Sequence, residues 1–265
     1  MTMETRDLGA RKYLIAILLG CCVTSNPSIA AQQSPPPGTQ LYVVWGHSEA
    51  GGHDKLDTAP TLSHGAHIWA AKDNELTYDP PANTFGSKGP SPNNFFADEI
   101  IAEGKATDVV LLKCSGAKPG QDWRIGIQGS IDSLSGCAKK VKYAVETWKL
   151  KLSGAVTYCC AGDALDEQKA RNFPDNYQTF VSTFRSAVGD RSLPFVSALT
   201  PLTQSCNRAA AEVEIVKLLR SKQAETKIAG ATWVDYDAVG LPRSCFHLKG
   251  AEQAELGRKM ARAVQ

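Results

Sequence analysis

The chain contains no run of Lys or Arg longer than two, and its 29 basic residues nearly balance 27 acidic ones for a formal net charge of +2. Nucleic-acid binders carry a dense basic face, so no nucleic-acid partner is expected. There is no Cys-x-x-Cys pair, which counts against a zinc ribbon or a thioredoxin-like site, and no His-Glu-x-x-His metal signature. No apolar stretch approaches the ~20 residues of a spanning helix, so no transmembrane segment is expected. No internal repeat is present. What remains is 265 residues, 43% hydrophobic and 21% charged, the composition of one globular domain or at most two. A chain of this length builds a core without help from metal or disulfides.

The first thirty residues read differently. Arg6, Arg11 and Lys12 precede the apolar stretch Tyr13 to Val23, which ends near Ser28-Ile29-Ala30-Ala31. This is the pattern of a signal peptide over residues 1–30, and it predicts a secreted or periplasmic protein. Leu18-Leu19-Gly20-Cys21 also has the form of a bacterial lipobox, the alternative being a lipid anchor at Cys21 on a membrane-bound lipoprotein. Residues 31–39, with Pro35-Pro36-Pro37-Gly38, are expected to form an extended linker, leaving 40–265 as the folded domain. Cysteine usage agrees with export. Cys21 and Cys22 lie in the leader, and Cys114, Cys137, Cys159, Cys160, Cys206 and Cys245 remain, an even number in an oxidising compartment. The spacing leaves connectivity open, with a Cys206–Cys245 bridge expected.

From residue 40 short β-branched runs alternate with amphipathic stretches. The runs are Leu41 to Trp45, Val109 to Lys113, Ala155 to Cys159, Leu193 to Leu199 and Thr232 to Tyr236. The helical stretches are Asn94 to Glu103, Ile131 to Leu152, Asp175 to Val188, Arg208 to Thr226 and Gly250 to Val264. Continuous rather than alternating hydrophobicity marks strands covered on both faces. The order predicts an α/β fold with a doubly wound, mainly parallel five-stranded sheet flanked by helices. Gly46 to Pro92 fits less well and reads as a long functional loop with one short helix over Ala66 to Lys72.

Ligands of open α/β sheets bind beyond the carboxyl ends of the strands. Gly46-His47-Ser48-Glu49-Ala50-Gly51-Gly52, Cys114-Ser115-Gly116-Ala117 and Cys160-Ala161-Gly162-Asp163 follow the first three runs, and Cys245-Phe246-His247 precedes the last helix. These are the parts of an acyl-transfer site. Ser48 is the nucleophile, His247 its base, and Asp163 the acid that orients the imidazole. The backbone N–H groups of Ser48 and Gly116 form the oxyanion hole. His47 and Glu49, flanking Ser48, and Trp123 beside the hole are the candidate substrate contacts. No cofactor is required.

These residues carry a family resemblance. Leu41 to Gly52 resembles the nucleophile block of the SGNH-type acetylesterases of the sialate O-acetylesterase group, which includes the acetylxylan esterases of carbohydrate esterase family six. Val110 to Trp123, with Lys113 and Gly116, is similar to the second block, and Val156 to Asp166, with Gly162-Asp163, to the third. Tyr177 to Pro194, with Arg185, and Phe246-His247-Leu248, Gly250 and Leu256-Gly257-Arg258 complete the order over residues 40 to 264. The resemblance implies a flavodoxin-like, SGNH hydrolase-type fold and an exported serine esterase that removes O-acetyl groups from a carbohydrate of acetylxylan or sialate type. The sequence departs from the family at His47 and Glu49, at Ala161 and Asp163, and at Ser244, where the family often has Asp. Asp235 or Asp237 stays open as the orienting acid, and a catalytically impaired carbohydrate-binding protein is the alternative function.

Each of these residues also has a plainer role. Serine in a glycine-rich turn is ordinarily a turn residue, Asp163 is suited to cap the next helix, and Trp45, Trp69 and Trp148 are expected in the core. His64 and His67, with Asp54 or Asp57 nearby, lack the converging ligands of a metal site. Together with His47 and His53 they read as polar loop residues, some lining the substrate cleft.

Overall fold

The computed structural model describes residues 35–46, 61–72, 75–77, 91–114, 128–158, 163–164, 166–202, 209–235, 237 and 250–264. The signal-peptide region and the lipobox Cys21 lie outside them. At the entry to the fold the proline run does not stay extended. Thr39 donates from both N and Oγ1 to the carbonyl of Pro36, at 3.3 and 2.7 Å. Gly38 has φ +87°, as the third residue of a type II turn must, with Pro37 before it.

Among the described residues seven strands form one sheet in the order β3-β2-β4-β1-β5-β6-β7. They are β1 Gln40–Gly46, β2 Ile68–Lys72, β3 Glu75–Thr77, β4 Val109–Lys113, β5 Lys151–Tyr158, β6 Phe195–Ala198 and β7 Ala231–Val234. Every pairing is parallel except β2 with β3. The expected class is therefore correct, with seven strands in place of five. The two additional strands come from the segment read as a loop, and the helix expected over Ala66 to Lys72 is a single 3-10 turn followed by β2. Three alanines raise helix propensity there, but Ile68, Trp69, Ala70 and Ala71 pair with Val109 to Leu112 and are buried against β4. Tertiary pairing overrides the local preference.

Among the described residues six helices accompany the sheet: α1 Pro92–Ala102, α2 Gln128–Trp148, α3 Glu167–Arg171, α4 Phe173–Val188, α5 Ala210–Glu225 and α6 Gly250–Arg262. The helix expected to run to Leu152 stops at Trp148, because Lys149 takes φ +55°. Neither Gly nor Pro marks that stop.

Alternation along β1 sorts the helices into two layers. Leu41, Val43 and Trp45 share a core with Leu134, Val141, Phe180, Phe184, Val216 and Leu219 from α2, α4 and α5. Tyr42 and Val44 face Phe96, Ile100, Leu256 and Met260 from α1 and α6. Complete burial of each such side chain contributes roughly 1.5–3 kcal/mol.

The α1–α6 contact is tight because of Gly257. A Cβ there would stand 2.2 Å from the Pro92 carbonyl oxygen and 2.8 Å from the Phe96 nitrogen. Alanine gains about 1 kcal/mol in helix propensity, but a clash with backbone cannot be relieved by a rotamer and costs about 1–3 kcal/mol or more. At 2.2 Å the clash lies at the upper end of that range, so Gly257→Ala is expected to be a net destabilisation of about 2 kcal/mol in urea unfolding, and a neutral result would mean that the helices separate freely.

Tyr42 gives a second expectation. Its hydroxyl donates to Gln40 Oε1 at 2.9 Å, and burial pushes its phenol from 10.0 up to about 12. A raised pKa in the folded state means stability that is complete below pH 10 and lost as pH climbs toward 12. Tyr177 shifts the same way through burial. Tyr42→Phe should therefore flatten part of the alkaline loss of unfolding free energy; an unchanged slope would mean that Tyr42 titrates normally.

Candidate functional site

The strand order reverses at β1, which lies between β4 and β5 while the chain visits them on opposite sides. A crevice opens at such a switch, beyond the carboxyl ends of the strands, and β1 ends there at Gly46, two residues before Ser48. Ser48, His47, Glu49, Gly116, Trp123 and His247 lie outside the described residues. What the structure describes is the set of strand ends that precede them in the sequence.

Beside β1, β4 ends at Lys113, and Cys114 N donates to the Val44 carbonyl at 2.8 Å. Cys114 is joined to Cys137 of α2 by a disulfide. On the other side β5 ends at Tyr158, and Asp163, five residues later in the chain, is only 7% exposed. This carboxylate does not cap the next helix. Asp166 does, accepting from Lys169 N at 3.1 Å as the N-cap of α3.

Beneath these ends lies a buried hydroxyl network. Thr157 Oγ1 donates to Ser197 Oγ across the β5–β6 pair at 2.5 Å, and Ser197 Oγ also bonds the Tyr177 hydroxyl of α4. Burial raises the Tyr177 pKa, opposed by its bonds to Ser197 and Thr157. Buried hydroxyls are tolerated when each is satisfied, and here they join α4 to the end of β5. Arg185, further along α4, donates from Nε and Nη2 to the Leu193 carbonyl at 2.9 and 2.8 Å. Burial lowers its pKa, with Asp190 opposing. Both are packing roles.

At the far end Arg220 of α5 gathers the exits of β6 and β7. Its Nη2 lies 2.5 Å from Asp235 Oδ1, and its Nη1 2.9 Å from Asp237 Oδ2 and 3.0 Å from the Thr200 carbonyl. Asp237 Oδ2 also accepts from Leu202 N, and Gln223 holds Thr200 through its backbone N and Oγ1. Both carboxylates proposed as alternatives to Asp163 are therefore bonded to a guanidinium. Arg220 and Gln223 are not recognisable in the sequence, since nothing in an amphipathic helix tells which polar residue reaches a strand end.

Trp45 is core, edge-on to Phe180 and Phe184. Trp69 is buried, with Nε1 3.4 Å from Asp108. Trp148 is partly buried and packs on the same core. His64 and His67 do not line a cleft at the carboxyl rim. They stand before β2, at the opposite end of the sheet, where His64 pairs with Asp98 at 3.3 Å and His67 with Asp108 at 3.2 Å. Among the described residues no group of three His, Cys, Asp or Glu could hold a metal ion, and no helix is long and apolar enough to cross a membrane.

Comparison with known proteins adds the family. Solved structures with the same fold include a protein from Arabidopsis thaliana, at TM-score 0.66 and 17% identity over 86% of this chain and 98% of that one. A carbohydrate acetylesterase from Xanthomonas citri aligns at TM-score 0.60 and 14% identity over 85% of this chain and 56% of that one. A lipase from a goat rumen metagenome aligns at TM-score 0.50 and 14% identity over 85% and 97%. No curated protein matches. The profile of the family described as carbohydrate esterase, sialic acid-specific acetylesterase, matches residues 38–265. The chain belongs to that family and is a carbohydrate esterase.

Proposed function

We propose that this chain is an exported serine esterase that removes O-acetyl groups from a carbohydrate, of acetylxylan or sialate type, through an acyl-serine intermediate. The leader is residues 1–30, the linker 31–39 and the catalytic domain 40–265. Lipidation at Cys21 is the alternative mode of export.

The observation that carries the site is Asp163. It is a buried carboxylate that follows in sequence the strand next to β1, and the N-cap of α3 is Asp166. A carboxylate held in place by its surroundings is suited to orient an imidazole and to stabilise the charge that develops on it. Asp235 and Asp237 already balance Arg220.

Ser48 attacks the acetyl carbonyl as His247 takes its proton. The backbone N–H groups of Ser48 and Gly116 hold the oxyanion, and Asp163 fixes the tautomer of His247 and stabilises its protonated form. His247 returns the proton to the leaving sugar hydroxyl. Water, deprotonated by His247, then releases acetate. His47, Glu49 and Trp123 contact the sugar around the crevice.

Acetate release from p-nitrophenyl acetate and from an acetylated polysaccharide tests this. Ser48→Ala should reduce turnover at least about 10⁴-fold while leaving saccharide binding intact. A folded wild-type chain that binds glycan without hydrolysing either ester would overturn the esterase mechanism.

The orienting role is tested separately. Asp163→Asn should lower kcat by about 10⁴, as loss of the imidazole-orienting charge does in serine hydrolases. Asp237→Asn should leave kcat within about tenfold and chiefly reduce stability, because it loses a charge-assisted bond to Arg220. The reverse order would move the orienting role to the exit of β7.

A further inference from the structure

On α3 and α5 lysines are taken up by a carboxylate one turn away: Lys169 by Asp166, Lys217 by Glu214 and Lys222 by Glu225. The outward face of α2 differs. Lys139 and Lys142 are both exposed there, three residues apart and so neighbours on one side of the helix. Among the described residues no carboxylate pairs with either of them, and Glu146, one turn beyond Lys142, forms no ion pair.

Beside these lysines stands an aromatic ring. Tyr143, one turn beyond Lys139, is 37% exposed, and among the described residues only Leu202 is another large apolar side chain so open to solvent. The Tyr143 ring meets Trp148 edge-on, with centroids 5.6 Å apart and planes at 85°. Trp148 packs against the core, so the exposed ring rests on an anchored one. Lys149 follows, exposed, with φ +55°, the one non-glycine residue of positive φ among those described. Glycine takes that conformation without steric cost. A lysine kept there under backbone strain points to a use for its charge.

This face is remote from the crevice. The end of α2 leads within three residues into Lys151, the first residue of β5, and so lies toward the amino ends of the parallel strands. The crevice is at their carboxyl ends.

We propose that this face of α2 is a second carbohydrate-attachment surface that holds a segment of an acidic polysaccharide, with Tyr143 stacking on a sugar ring and Lys139, Lys142 and Lys149 meeting carboxylates along the chain. A tyrosine ring is apolar on its face and polar at its tip, as a sugar surface requires. Lysines are flexible point charges that follow a row of carboxylates without demanding one fixed spacing. A neutral glycan leaves all three charges unused. A bilayer needs several apolar side chains to enter it, and Tyr143 is the one exposed large apolar residue described on this helix. Attachment at a second point keeps the polymer near the crevice and raises the local concentration of its esters. The proposal rests on membership of the carbohydrate esterase family and not on the serine mechanism.

The experiment measures binding of polygalacturonate to the whole protein by calorimetry in about 20 mM salt, where exposed charges are little screened, with neutral dextran, a DNA duplex and phosphatidylserine vesicles as comparisons. Polygalacturonate should bind more tightly than the other three, and Ser48→Ala should bind it as the wild type does. Lys139→Gln/Lys142→Gln should weaken binding about tenfold and reduce its dependence on salt. Tyr143→Ala should weaken it about fivefold, the worth of one aromatic contact. Lys149→Gly is the sharpest arm. It should weaken binding about threefold without lowering Tm, since glycine relieves the backbone. The lysine variant leaves the core untouched and decides the matter if Tyr143→Ala fails to fold. Binding of polygalacturonate that is absent, unchanged in the variants, or matched by dextran overturns the proposal. Tighter binding of DNA or vesicles that the same substitutions abolish also overturns it, by giving the face to another polyanion. Because no arm reads turnover, failure of the serine mechanism and failure of this surface are seen separately.

Discussion

Strand β1 is the constraint on which the rest depends. It has a parallel neighbour on each edge and a helical layer on each face, so every residue from Leu41 to Trp45 is buried. A strand in that position cannot slip by one residue without exchanging its two apolar faces. The point where it ends, two residues before Ser48 in the sequence, is thereby determined. Neighbours refer to it in turn: β4 through the bond from Cys114 to Val44, β5 through a register that shifts between Leu41 and Tyr42.

Around that centre the carboxyl rim is organised by polar groups that the core can accept only when they are paired. Thr157, Ser197 and Tyr177 satisfy one another between β5, β6 and α4. Arg220 and Gln223 do the same for the exits of β6 and β7. A guanidinium suits this task because its planar fork reaches two carboxylates and a carbonyl at once. The result divides the acids at the rim. Asp235 and Asp237 neutralise a cation, Asp166 caps a helix, and Asp163 is buried.

The strands of the central sheet were legible because β-branched, unbroken apolar runs have few other uses in a chain of this size. Val109–Lys113 matches the expected run at both ends. Ile68–Lys72 was not legible, since Ala70 and Ala71 favour a helix and only the edge of β4 makes them a strand. The end of α2 was hidden for a different reason, as Lys149 takes a left-handed conformation usually reserved for Gly. Of the site, the chemistry-bearing residues were nominated from their places after strands, and the family profile covers residues 38–265. The division of labour among acids could not, because it depends on which helix residue lies opposite each carboxylate.

The sequence by itself determined the class of fold, the alternation that sorts side chains into two layers, and the types of residue offered at the carboxyl rim, because periodicity and local composition are properties of consecutive residues. Tertiary structure alone decided that β2 and β3 extend the sheet, that Cys114 joins Cys137, that His64 and His67 lie at the opposite end from the proposed site, and that Arg220 holds Asp235 and Asp237. Each of these is a meeting of residues distant in the chain. Such meetings are selected by packing and charge pairing in three dimensions, which no local pattern encodes.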